Sequence, residues 1–146
     1  MIVLKDEGLY CPEGDFFIDP LLPCKNAVIT HAHADHARPG MKNYICTPET
    51  SEIMKLRISN DLLIKEVEYN NEIQINSVKI TFIPAGHVLG SSQIKIDNGS
   101  EVTIITGDYK RAIDPTCKSF VVHECDTFVT EATFASPNFK WPCVDP

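Results

Sequence analysis

The residues best suited to chemistry fall in one six-residue run, His31-Ala32-His33-Ala34-Asp35-His36, which holds three of the chain's five histidines. Imidazole nitrogens and carboxylate oxygens suit zinc and similar divalent ions. The alternation lets His31 and His33 grip one ion while Asp35 and His36 turn toward a second. The small side chains of Ala32 and Ala34 leave room for close backbone approach. Taken alone, the run also fits a solvated histidine-rich loop that binds metal adventitiously. Two further groups stand against that reading. His87 lies between glycines in Gly86-His87-Val88-Leu89-Gly90, and Asp108 follows Gly107. A single histidine is more often structural and a single Gly-Asp more often a turn, but each of these groups directly follows an apolar, β-rich run.

Those runs are the elements that must position the site. Ala27–Thr30 precedes His31, Val78–Ile83 precedes Gly86-His87, and Val102–Thr106 precedes Gly107-Asp108. Phe16-Phe17-Ile18, Tyr44-Ile45-Cys46 and Thr127–Thr130 read as further short strands. Thr47-Pro48-Glu49 supplies an N-cap, a proline at the first helical position and a first-turn acid, so a helix is expected through Ile53, Met54 and Leu56, fading near Ser59-Asn60. Ile73 and Ile75, then Val78, Ile80 and Phe82, alternate about Asn76-Ser77 and predict a hairpin. Ile94 and Ile96, then Val102 and Ile104, predict a second, with Asn98-Gly99 as a type I′ turn. The pattern is mixed α/β, with many strands, few helices, no repeat and no low-complexity linker.

The 146 residues, 43% hydrophobic and 23% charged, are enough for one modest domain and exclude disorder as the dominant state. A formal charge of −7 argues against a broad basic nucleic-acid face. Acidic Asp6 and Glu7 interrupt the apolar start at once, and no stretch approaches a membrane span, so a soluble, cytoplasmic protein with no membrane partner is expected. The six cysteines (Cys11, Cys24, Cys46, Cys117, Cys125 and Cys143) include no Cys-x-x-Cys pair and are expected as reduced thiols.

In this order, His-x-His-x-Asp-His, then His, then Asp, the chain resembles the metallo-β-lactamase superfamily. The resemblance implies that His31, His33 and His87 bind one metal, that Asp35 and His36 bind a second, and that Asp108 bridges them. Asp19 matches an aspartate that supports the site without binding metal, and it also reads as a plain turn residue before Pro20. Ala85–Ser92 and Thr130-Glu131-Ala132-Thr133-Phe134 resemble motifs of the β-CASP nucleases, in which the residue matching Glu131 orients a histidine general acid. Glu131 also fits a surface acid after a strand. Gly8–Pro12, Asp15–Pro20, Thr30–Gly40, Cys46–Thr50, Gly107–Arg111 and Cys125–Phe128 narrow the resemblance to bacterial ligase-associated DNA exonucleases.

That family implies a metal-dependent phosphodiesterase, a DNA exonuclease of repair, acting on DNA beside a ligase and a helicase. Its cofactor is two divalent ions, zinc or alternatively manganese. Close cations lower the pKa of a bridging water toward about 7, so a metal-activated hydroxide can attack phosphorus. They also supply +4 of local charge, which answers the objection from net charge. Lys110 and Arg111 are candidate phosphate contacts, or simply a solvated basic pair.

The resemblance implies a fold that is the N-terminal half of an αββα sandwich, with residues 1–146 a partial domain truncated before the β-CASP cap. The cap, the C-terminal half and two family histidines have no counterpart, because His123 precedes Glu131 and is in the wrong place for either. An exposed inner sheet face, an incomplete second metal site and little or no nuclease activity from this chain alone are therefore expected. The alternatives are an RNA-processing β-CASP nuclease, a thioester or lactam hydrolase of the same fold, and a non-catalytic metal-binding remnant.

Overall fold

A computed structural model describes residues 1–140. The predicted cap start at Trp141-Pro142, and Cys143, lie outside the described residues. In chain order the elements are β1 (Val3–Lys5), β2 (Gly8–Cys11), β3 (Phe16–Ile18), β4 (Asn26–Val28), β5 (Asn43–Cys46), α1 (Pro48–Arg57), β6 (Ile64–Glu66), β7 (Glu72–Ile75), β8 (Val78–Pro84), β9 (Ser92–Asp97), β10 (Val102–Ile105) and β11 (Thr127–Val129). They form a sheet in the order β1-β2-β3-β4-β5-β6 and a second in the order β11-β10-β9-β8-β7. In the first sheet β3, β4, β5 and β6 pair in parallel. In the second, β7 to β10 are antiparallel and β11 joins β10 in parallel.

Period-two alternation decides which side chains meet. Val78, Ile80 and Phe82 of β8, with Ile94 and Ile96 of β9, point inward and are fully buried. They share one core with Cys11, Phe16, Ile18 and Val28 of the first sheet. The opposite face of β4 and β5 presents Ala27, Tyr44 and Cys46, which form a second cluster with Met54 of α1. Both faces of β4 and β5 are thus covered, as is usual for parallel strands whose crossover connections pack on the sheet.

This arrangement corrects the expectation of a bare inner face. Both facing sheets come from this one chain, and each buries the other. The large apolar side chains that stay exposed include Leu4 near the first sheet's edge and Phe128, Phe134 and Phe139 near β11.

α1 starts where expected, with the Thr47 hydroxyl accepting the Thr50 N–H at 3.4 Å. It stops at Arg57, with Ile58 as C-cap, short of Ser59-Asn60. Its buried residues are Thr50, Ser51 and Met54, whereas Leu56 is 87% exposed. The β7/β8 hairpin turns on Asn76-Ser77, with Ile75 opposite Val78 and Asn76 in the left-handed region. The β9/β10 hairpin also forms, but not through a type I′ turn. Asn98 keeps a negative φ, because its side-chain oxygen instead accepts the Ser100 and Glu101 N–H groups.

Candidate metal centre

Four loops leave the C-terminal ends of β4, β8, β10 and β11 and carry His31 to His36, His87, Asp108 and Glu131. His31 is fully buried, whereas His33 is exposed and Asp35 is 74% exposed. His31 Nε2 lies 3.0 Å from His33 Nδ1, and His87 Nε2 lies 3.3 Å from the same atom. Asp108 Oδ2 is 3.9 Å from His31 Nε2 and 3.7 Å from His87 Nε2. Donors around a tetrahedral zinc at about 2.1 Å would sit about 3.4 Å apart. Three neutral-capable imidazoles and one carboxylate at these separations fit such an ion in both chemistry and spacing.

The other oxygen of Asp108 meets a further imidazole, with Oδ1 3.4 Å from His36 Nε2. Asp35 Oδ2 approaches that same nitrogen at 3.7 Å. Asp108 therefore stands between His31 and His87 on one side and His36 on the other. Asp35 belongs to no tight group of three donors among the described residues. Asp19, in a left-handed backbone conformation, accepts His36 Nδ1 at 2.7 Å and groups with His31 and His36. Its two oxygens are already occupied by the Thr30 N–H, the Thr30 hydroxyl and His36, so it orients rather than opens a coordination position.

Burial, with the neighbouring His36, His33 and His87, pushes His31 down to about 2, which keeps it neutral. Burial also lowers His87, against the opposing pull of Asp108. Burial would lower His36 too, but the hydrogen bond and charge of Asp19, with Asp108 and Asp35, raise it above the ordinary histidine value.

Glu131 accepts the Thr133 hydroxyl at 2.6 Å and the Tyr109 N–H at 3.3 Å. Burial would raise its carboxyl, but these hydrogen bonds prevail and lower it. It lines a cavity of about 320 Å³ with Asp35, His36 and Asp108, whose remaining walls include apolar Leu9 and Val129. Lys110 is engaged with Asp114 at 3.1 Å, and Arg111 lines a different hollow beside Tyr109, Phe120 and His123.

Supporting residues escaped the sequence reading. The Ser91 hydroxyl accepts the His87 and Val88 N–H groups, and Thr47 and Thr50 hydroxyls both reach the Gly90 carbonyl. The Arg57 guanidinium reaches the Ala32 and Ala37 carbonyls, clasping the loop of the first histidines. Hydroxyl residues flanking the motifs were a visible signal; nothing near Arg57 marked it.

A two-sheet sandwich carrying imidazoles and a central carboxylate at its strand ends is a metallo-β-lactamase-type arrangement, and the proteins to which the chain is similar include nucleases of the β-CASP type. It is 26% identical over 137 residues to a probable DNA ligase of Opitutus terrae, covering 92% of this chain but 13% of that protein. It is 32% identical over 75 residues to the endoribonuclease YSH1 of Kluyveromyces lactis, covering 50% of this chain and 10% of the relative. The chain thus spans a small part of these curated relatives. Among solved structures it resembles CmlA, a diiron β-hydroxylase of Streptomyces venezuelae, with a TM-score of 0.54 and 17% identity over 73% of this chain and 28% of that one. No family model matches the chain.

Proposed function

We propose that the chain is the metal-binding part of a metal-dependent phosphodiesterase, a cytoplasmic DNA exonuclease of repair that works beside a ligase and a helicase. The observation that carries the phosphodiesterase reading is Asp108, whose two oxygens face separate sets of imidazoles. His31, His33, His87 and Asp108 would hold a first divalent ion; Asp108, His36 and Asp35 would contribute to a second. Zinc fits the donor set best, with manganese the alternative. When bound, such ions supply charge to offset a phosphodiester and the acidity that lets water attack at neutral pH.

The chain's own residues do the positioning. Asp19 holds His36 with its Nε2 toward Asp108. Glu131 is oriented by Thr133 and Tyr109 at the cavity rim, where it could set a general acid supplied from elsewhere in the protein. Arg111 remains available to a phosphate, whereas Lys110 must first leave Asp114.

We further propose that residues 1–146 are a partial domain. The apolar cavity beside Asp108 and His36 is the place where the remainder of a longer chain would pack and complete the second ion's ligands. The preference for DNA rests on the motif resemblance and on the ligase-like relative. The likeness to an endoribonuclease favours RNA as a second reading. The test is turnover of labelled linear DNA and RNA by the protein purified from its natural host. The reading expects DNA degradation that Asp108→Ala abolishes, and little or none by the isolated 146-residue chain. Preferential cleavage of RNA would replace the DNA reading, and full activity of the isolated chain would overturn the partial-domain reading.

A further inference from the structure

We propose that Thr30 is a positioning residue for the metal centre: its hydroxyl fixes which nitrogen of His31 is offered to the ion, and its carbonyl ties down the segment that follows His87. Thr30 lies two residues beyond β4 and is almost fully buried. Its hydroxyl lies 2.5 Å from Asp19 Oδ2 and 3.0 Å from His31 Nδ1. A hydroxyl has one proton, and an ionised carboxylate can only accept. The Thr30 proton therefore goes to Asp19, and Thr30 Oγ1 must accept from His31. That places the His31 proton on Nδ1 and leaves the Nε2 lone pair facing His33 and Asp108.

The same residue touches the other two loops. Its carbonyl accepts both the N–H and the hydroxyl of Ser92, at 2.8 and 2.9 Å, which ties down the segment that follows His87. Its side chain also abuts Gly107, where an added Cβ would lie 2.6 Å from Thr30 Oγ1 and 2.9 Å from its Cγ2. Three ligand loops from three parts of the sequence thus converge on one threonine. Positioning groups of this kind change metal affinity by about 10–100-fold.

The consequence for metal rests on the proposed centre, but the tautomer does not, and the test separates them. Thr30→Val keeps the shape against Gly107 and removes the hydroxyl; Thr30→Ser does the reverse. The readouts are the imidazole nitrogen chemical shifts of the metal-free protein and zinc affinity by competition with a chromophoric chelator. Thermal melts of the metal-free variants check folding. In the wild type and Thr30→Ser, His31 is expected as the Nδ1–H form, with similar zinc affinity. Thr30→Val is expected to lose that tautomer and to bind zinc about 10–100-fold more weakly. An unchanged His31 tautomer in Thr30→Val, or a loss of affinity equal in the serine variant, overturns the proposal. A shifted tautomer in a protein whose wild type binds no zinc supports the role of Thr30 and overturns the metal reading instead.

Discussion

Asp108 and the two histidines that flank it, His31 and His36, divide the work of the proposed centre by environment. His31 is buried and held neutral, so protons compete little with metal there. His36 is held above the ordinary value by Asp19, so it keeps its second proton to higher pH. The sign follows directly. As pH falls, His36 is protonated before His31, and the ion beside His36 leaves first. Metal content measured after stepwise acid dialysis should show sequential loss, the His36 side emptying at higher pH. Simultaneous release of both ions would contradict this division. Asp108→Asn keeps the shape but removes the charge shared by both sides, and should weaken both ions together.

At the scale of elements, the centre is a set of loops clasped from outside. Arg57, in the last turn of α1, bonds the carbonyls of Ala32 and Ala37. Arg57→Ala leaves these groups unpaired and should cost about 1.5–3 kcal/mol, read as a lowered denaturant midpoint. Gly90, at φ +81°, brings its carbonyl to Thr47 and Thr50, and an added Cβ would lie 2.6 Å from the Thr50 nitrogen. Gly90→Ala should therefore destabilise by about 1–3 kcal/mol and loosen His87. Unchanged melts for both would refute the clasp.

The strands that precede His31, His87 and Asp108 were legible because each is an apolar run ending in polar residues. The α1 start was legible from its cap. The strands β1 and β6 were not, since Val3–Lys5 and Ile64–Glu66 are three-residue edges with mostly exposed side chains. The burial of Thr50 and Ser51 on α1, where their hydroxyls bond the Gly90 carbonyl and Glu66, is not something hydrophobic periodicity registers. The ligand-type residues His31, His33, His87 and Asp108 lie together, each at the end of a strand that the sequence marks; Lys110 is drawn aside by Asp114, an acid only four residues on that the sequence reading did not weigh.

Across the whole molecule, two sheets from one chain bury a shared core, so the scaffold of the site does not wait for a missing inner layer. Phe82 is fully buried in that core, and Phe82→Ala should cost about 3–5 kcal/mol in stability. No helix among the described residues is long and apolar enough to cross a membrane. The five described cysteines are all free thiols. The central claim is that His31, His33, His87 and Asp108 hold a divalent ion, and X-ray absorption at the zinc edge of the loaded protein tests it most directly. The predicted result is a tightly held zinc with imidazole scattering and nitrogen or oxygen ligands at about 2.0–2.1 Å, lost in His31→Ala and His87→Ala. No stoichiometric zinc, or an unchanged spectrum in both variants, would contradict it.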